Sequence, residues 1–388
     1  MSLLFELIFW CSVSFVAATT VGYPLLITAL SIFVQRPRTM RDEEPTVTLI
    51  ISAHNEEKVI KEKLDNSLSL DYPGKKLEII VASDGSTDMT NGIVSSFAGR
   101  GVILHSYNRM GKTGIQNEAV KKAHGEILVF SDANAMYRKD AIRKLVRNLA
   151  DETVGCVSGQ LVYRRRDDCA AGESEGCYWK YEKYLKEKES ALSSLLGVNG
   201  SIYAVRKEDY VHIDNKLISD FVEPLEIVRG GKRVVYEREA VSEEEPSVSY
   251  DKELRRKIRI LTRSIRGLLH MKSLLNPFKY GIFSVQLFIH KACRYLVPFF
   301  LATSAVCLLA LTGRPLYFVL FCLMITSLAL AAVARLFADV APGNKVLKVV
   351  NLIYYYFLVN YAVTLAWVNV MRGSEITVWT TDRKGAAH

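Results

Sequence analysis

Apolar residues crowd the two ends of the chain and are broken up by charge and turn residues in between. Residues 7–34 contain no charged side chain, and a run of that length as a helix crosses a hydrocarbon layer of about 30 Å. Three further apolar stretches, at residues 295–311, 317–334 and 346–371, predict C-terminal transmembrane segments. The piece before them, residues 277–294, mixes Phe, Ile and Leu with His290, Lys291 and Arg294. It reads as an amphipathic segment lying in the interface.

The middle of the chain has another rhythm. Residues 47–54 (VTLIISAH) open with a continuous β-branched and aliphatic run, the mark of a strand buried on both faces. Val59, Ile60, Leu64 and Leu68 follow at helical spacing. Strand 77–82, helix 91–97, strand 102–105, helix 113–123 and strand 127–130 continue the alternation. Alternating strands and helices of these lengths predict an α/β domain built on a doubly wound, mostly parallel sheet. In such sheets ligands bind beyond the carboxyl ends of the strands, so polar residues just after strands are the candidates for function.

Composition sharpens this picture. A mean hydropathy of +0.11 and 49% hydrophobic residues exclude intrinsic disorder and disfavour a wholly soluble chain. The net charge is +9, and residues 252–272 supply +7 of it through eight Lys/Arg against Glu253. A nucleic-acid footprint is one reading of that patch; a helix seated on an anionic membrane surface fits better, because apolar spans follow. On a helix, Leu254, Ile258, Leu261, Ile265 and Leu268 form one stripe and Arg255, Arg259, Arg263 and Arg266 an adjacent one. Seven cysteines without a C-x-x-C pair predict reduced thiols rather than disulfides or zinc. A cleaved signal peptide competes for residues 7–34. No Lys or Arg precedes the run, however, and it is too long for a signal h-region. Arg36, Arg38 and Arg41 follow the anchor at once, which places the middle of the chain in the cytosol. Three C-terminal crossings would leave the tail outside, whereas Arg372, Arg383 and Lys384 favour the inside. The last stretch is therefore not assigned a full crossing.

Four strand-end or helix-start positions carry candidate chemistry. Asp84 follows LEIIVAS and opens a Gly-Ser-Thr turn, where a carboxylate can meet a base or ribose or simply cap a helix. Asp132-Ala133-Asn134 puts two oxygen-bearing side chains at a strand end, a pattern that suits a hard divalent ion and also occurs in plain turns. Lys112 opens a helix, where ammonium and free N–H groups can hold a diphosphate. Its Gly111-Lys112 pair lacks the upstream glycine of a P-loop. Asp220, at the start of an apolar helix, reads as a cap.

Taken together these motifs resemble the membrane-bound family 2 glycosyltransferases, the class of the cellulose, chitin and hyaluronan synthases and ceramide glucosyltransferase. The likeness runs over residues 47–270 through Ala53-His54-Asn55-Glu56-Glu57, Ser83-Asp84-Gly85-Ser86-Thr87-Asp88, Gly111-Lys112 with Asn117, Ser131-Asp132-Ala133-Asn134, Gly197-Val198-Asn199-Gly200-Ser201 and Ser219-Asp220-Phe221. The resemblance implies a GT-A fold over about residues 36–250 and flanking transmembrane helices at residues 1–35 and 295–371. The basic amphipathic helices at 251–294 and the tail 372–388 complete the plan. It implies an inverting transfer from a nucleotide-sugar, with UDP as nucleotide, to a polysaccharide or lipid-linked acceptor at the cytosolic membrane face. Nucleic acid has no part in it, and homo-oligomerisation stays open. By residue, it implies that Asp84 contacts the uridine, with His54 and Glu56 on the donor side. Lys112 and Arg263 would face the diphosphate, and Asp132 with Asn134 would hold Mg²⁺ or Mn²⁺. Asn199 and Gly200 would line the acceptor end, and Asp220 would be the catalytic base.

Two departures qualify the likeness. The family's D-x-D is D-x-N here, one charge fewer for the metal. Its Q-x-x-R-W signature survives only as Arg263 in Ile260-Leu261-Thr262-Arg263-Ser264, and losing the Trp argues against extended processive synthesis. A membrane scaffold that binds a nucleotide-sugar without turning it over is the competing class. A transporter has too few spans, and dinucleotide binding lacks G-x-G-x-x-G after the first strand.

Overall fold

The structure, a computed structural model, describes residues 2–163, 170–245, 250–337 and 345–374. Arg383 and Lys384, which weigh on the side taken by the tail, lie outside the described residues. The chain divides into two compact units, one of residues 1–34, 165–188 and 246–374 and one of residues 35–164, 189–245 and 375–388.

The second unit is built on an eight-stranded sheet. Its strands are β1 (Val47–Ala53), β2 (Leu77–Asp84), β3 (Val102–Tyr107), β4 (Ile127–Asp132), β5 (Met136–Tyr137), β6 (Val154–Tyr163), β7 (Ile202–Arg206) and β8 (Arg233–Glu244). They lie in the order β3-β2-β1-β4-β7-β6-β8-β5. As the unbroken apolar run predicts, every residue of β1 is buried. β1 pairs in parallel with β2 on one side and β4 on the other, with Ala53 opposite Ser83 and Ser52 opposite Asp132. Helices Ile60–Leu68, Thr90–Ser95 and Gly111–Lys122 make the crossovers of this parallel half. The other half is mixed: β7 is antiparallel to β4 and β6, β8 is parallel to β6, and β5 is antiparallel to β8.

This order places the site. The chain moves outward from β1 through β2 to β3, then returns to lay β4 on the far side of β1. The topological switch point, where α/β sheets bind ligands, thus falls between β1 and β4. Asp84 and Asp132 end β2 and β4 at the same carboxyl edge, one strand on either side of β1. Adjacent strands lie roughly 4.8 Å apart, so the two acids flank a gap of about 10 Å.

The first unit is helical. Among the described residues three helices are long and apolar enough to cross a membrane: Ser2–Phe33, Ile282–Ala310 and Pro315–Val333. The first is tied to the third by the Glu6–Arg314 pair, by a hydrogen bond from Trp10 to the Tyr317 hydroxyl at 3.2 Å, and by edge-on packing of Phe9 on Tyr317. The break expected at Arg294 is absent. Pro277–Tyr280 is a short helix of its own, set off by Gly281 at φ +56°, and residues 282–294 run on through a π-helical turn, Phe288–Cys293, into one continuous apolar helix, Ile282–Ala310. Arg294 pairs with Glu182 at 2.6 Å, and the His290 ring lies tilted against Tyr23 with centroids 5.2 Å apart, so both polar side chains have partners within the helical unit. Glu182 lies on helix Ala170–Leu192, which the sequence reading did not single out. The basic helix spans Tyr250–His270. Its stripes are less even than the spacing predicts: Arg263 is buried with Ile265 and Leu268, while Arg255 is exposed.

Candidate functional site

Asp84 is fully buried. One of its carboxylate oxygens accepts from the Met110 N–H at 2.7 Å and the Gly111 N–H at 3.1 Å, and the other pairs with the Arg109 guanidinium at 2.7 Å. These contacts fix the start of helix Gly111–Lys122 and hold Arg109 over the strand end. Gly85, at φ +61°, lets the chain turn away beneath Arg109, and a Cβ there would meet the Arg109 backbone nitrogen at 3.1 Å. His54 follows β1 and shares a 2.8 Å hydrogen bond with the Asp84 carbonyl. Burial, reinforced by the Arg109 charge, holds its pKa below the ordinary histidine value. Glu56 is buried and its N–H donates to the Thr90 hydroxyl at 2.8 Å, so this residue fastens the turn after β1 to the helix after β2.

Because Asp84 fixes where the helix begins, Lys112 points across the switch point. Its ammonium contacts the Asp132 carboxylate and donates to the Gly200 carbonyl at 3.0 Å. Gly200 in turn lies hard against Asp220: a Cβ on it would stand 2.6 Å from the Asp220 Oδ2 and 3.0 Å from the Lys112 Nζ. Lys112, Asp132, Gly200 and Asp220 thus form one constellation, joined to Asp84 through Gly111. Two bonds keep the helices of Lys112 and Asp220 together, from Thr113 to the Leu217 carbonyl at 2.8 Å and from Ser219 to Gln116 at 2.7 Å. Asn199 lies beside Gly200, but its side chain donates to the Gly159 carbonyl at 2.5 Å and its N–H to Ser158 at 3.0 Å. It anchors the loop on β6. Arg263 belongs to the helical unit, on helix Tyr250–His270.

The donor set at the end of β4 is made of hard oxygens. Asp132 offers a carboxylate, Asn134 an amide oxygen, and the Asn134 Nδ2 is 3.4 Å from Glu244, which ends β8. Such oxygens fit Mg²⁺ or Mn²⁺, with phosphate and water filling the remaining positions. No group of three or more His, Cys, Asp or Glu that could hold a metal occurs among the described residues.

Several residues of this region escaped the sequence reading. Arg109 is one. Lys63 is another: it is fully buried, donates to the Ala135 carbonyl at 2.5 Å and lies 4.0 Å from the centre of the Tyr137 ring. Burial pulls its pKa down to about 7 against the opposing pull of Asp132 and Glu244. Three residues on, Asn66 bonds both the N–H and the carbonyl of Tyr137, so one helix face grips the segment after Asp132-Ala133-Asn134. A third is Glu223, fully buried, which accepts from the Tyr203 hydroxyl at 3.0 Å. Burial pushes its carboxyl up to about 8, and nearby Asp220 adds to the rise.

A family model described as glycosyl transferase family 2 matches residues 48–211. Beta-monoglucosyldiacylglycerol synthase of Nostoc sp. is 27% identical over 212 residues, 52% of this chain and 45% of that protein. An N-acetylglucosaminyltransferase of Bradyrhizobium elkanii is 31% identical over 129 residues, 32% of this chain and 70% of that protein. The chain thus spans rather less than half of the first of these relatives. Among solved structures, the mannosyltransferase PcManGT from Pyrobaculum calidifontis, in complex with GDP-Man and Mn²⁺, superposes with a TM-score of 0.70 at 24% identity. That match covers 95% of this chain and 100% of the other. The likeness establishes the GT-A fold.

Proposed function

This chain belongs to glycosyl transferase family 2, and on that premise we propose that it is an inverting glycosyltransferase that moves a sugar from a nucleotide-sugar to an acceptor at a membrane surface. The observation that carries the reading is the constellation at the switch point: Lys112 bridges Asp132 and the Gly200 carbonyl, and Gly200 abuts Asp220.

Each residue then has a task. The nucleoside is received at the β2 end, where Asp84 holds Arg109 and His54 in place. Lys112 takes the diphosphate and Asp220 the acceptor hydroxyl. Asp220 accepts the hydroxyl proton as that oxygen attacks the sugar C1, and the bond from C1 to the diphosphate oxygen breaks with inversion. Charge growing on the departing diphosphate is met by the Lys112 ammonium. A divalent cation held by Asp132 and Asn134 would supply further charge neutralisation there. Asn199 serves by holding Gly200 where the two sugars meet. Arg263 is the resemblance's candidate for a second cation on the diphosphate, to be tested by Arg263→Met.

UDP as nucleotide, Mg²⁺ against Mn²⁺, and a lipid or polysaccharide acceptor belong to the proposal. The name of the Nostoc relative supports a diacylglycerol-type lipid acceptor, and the missing Trp after Arg263 supports a single addition rather than a polymer. Three candidate spans support an integral membrane protein. Arg36 and Arg41 beside the first support a cytosolic catalytic domain; Arg38 is a weaker witness, since it donates to the Tyr236 carbonyl at 3.0 Å and is 3.6 Å from Glu237. A donor screen in nanodiscs, with UDP- and GDP-sugars and the product sized by mass spectrometry, tests the reading. One added sugar on a lipid supports it, a ladder makes the chain a polymerase, and donor binding without turnover makes it a scaffold.

A further inference from the structure

Pro224 sits inside helix Ser219–Arg229, four residues after Asp220. In an α-helix the carbonyl of Asp220 would accept from the N–H of residue 224, but proline has none, and its ring pushes the carbonyl four residues earlier away from the helix axis. The Asp220 carbonyl instead accepts from the Val198 N–H at 2.9 Å. Val198 lies in Gly197-Val198-Asn199-Gly200, and both glycines of that loop pack on the same residue. A Cβ on Gly197 would lie 3.6 Å from the Asp220 carbonyl oxygen, and one on Gly200 would clash with the Asp220 carboxylate. A proline is the least favourable residue in a helix interior, so its presence here asks for a return elsewhere.

We propose that Pro224 is a positioning residue for the base. By withholding an N–H it reserves the Asp220 carbonyl for Val198, and so locks the first turn of the helix to the loop that carries Gly200. The lock fixes the carboxylate against Gly200 while leaving Asp220 itself chemically unchanged. This inference rests on Asp220 being the base.

The test compares Pro224→Ala with a residue-224 lactic acid ester, which keeps the alanine methyl but has no N–H, and with Asp220→Asn. Alanine restores the N–H, the ordinary helix bond competes for the carbonyl, and the lock loosens. In Pro224→Ala, kcat is expected to fall between about 10- and 100-fold, since misplacing a reacting group by ångström fractions costs that much. Donor KM should stay within about twofold, and Tm should be unchanged or raised because the helix gains a bond. The ester variant should recover most of the lost kcat. Full kcat in Pro224→Ala, or an ester variant as slow as the alanine one, overturns the inference, provided Asp220→Asn is inactive. Transfer by Asp220→Asn at the rate of the unaltered chain would instead overturn the base assignment beneath it.

Discussion

The most exacting demand the site makes is on Gly200. It is not among the positive-φ glycines of the described residues, so alanine is acceptable to its backbone. The objection to a side chain is spatial: the new Cβ would stand 2.6 Å from the Asp220 Oδ2, 3.0 Å from the Lys112 Nζ and 3.3 Å from the Asp220 Cβ. Lys112 can swing aside, and the carboxylate can rotate, but the Asp220 Cβ is fixed by its helix. Restoring ordinary contact moves the base by about half an ångström to one ångström, which costs about 10- to 100-fold in transfer, or roughly 1.4–2.7 kcal/mol of barrier. Fold stability should not fall, because the two nearest atoms are side-chain ends that can give way and Gly→Ala at a compatible backbone stabilises by about 0.4–1 kcal/mol through the unfolded chain. The assay is steady-state transfer by Gly200→Ala beside its thermal unfolding and its nucleoside diphosphate affinity. Unimpaired kcat with an unchanged Tm would refute the packing argument; lost kcat together with a collapsed Tm would mean that the loop, not the base, had been disturbed.

Other expectations follow from the same geometry. Asp220→Asn should abolish transfer while calorimetric binding of the nucleoside diphosphate survives; lost binding would move Asp220 out of the base role. Glu223 has a folded pKa of about 8, above its ordinary value of 4.5, so its contribution to stability is present at low pH and is lost as pH rises from about 5 to about 8. Glu223→Gln should therefore flatten that part of the Tm-against-pH curve and gain most relative to the unaltered chain near pH 8; identical curves would contradict the buried neutral acid. Lys63→Met should free the Ala135 carbonyl and raise the half-saturating Mn²⁺ concentration several-fold, read by calorimetry with nucleoside diphosphate present. An unchanged Mn²⁺ titration would show that the turn holds its shape without the lysine.

Much of the parallel half of the sheet was legible in the sequence, because strands buried on both faces leave unbroken apolar runs such as Val47–Ala53. The mixed half left weaker traces. β7 and β8 pair with strands distant in sequence, and short-range pattern does not encode such pairings. Asp132 was legible from its strand-end placement, which is a topological rule, whereas Lys112 and Asp220 stand at helix starts and join it only through the family resemblance. The contacts of Asp84 were not legible: a carboxylate at a turn reads alike whether it faces solvent, a base or the N–H groups of a distant helix start, and here it accepts from Met110 and Gly111. Lys63 left a signal that went unused. It falls on the stripe of Ile60, Leu64 and Ser67, where a charged residue in a core-facing position needs a buried partner. Pro224 left another, since a proline in a helix interior always frees a carbonyl. The run of one helix across Arg294 was not legible, because Glu182, the partner that makes an arginine tolerable in an apolar helix, lies more than a hundred residues earlier in the chain.

The central claim is that Asp132, Lys112 and Asp220 together release a nucleoside diphosphate as they transfer its sugar. The direct measurement is nucleoside diphosphate release by the purified full chain in nanodiscs, with lipid acceptor and a panel of nucleotide-sugars. The account predicts release in step with sugar appearing on the acceptor, lost on chelation of divalent ions and lost in Asp220→Asn. Release that persists undiminished in Asp220→Asn, or no release from any donor, would contradict it.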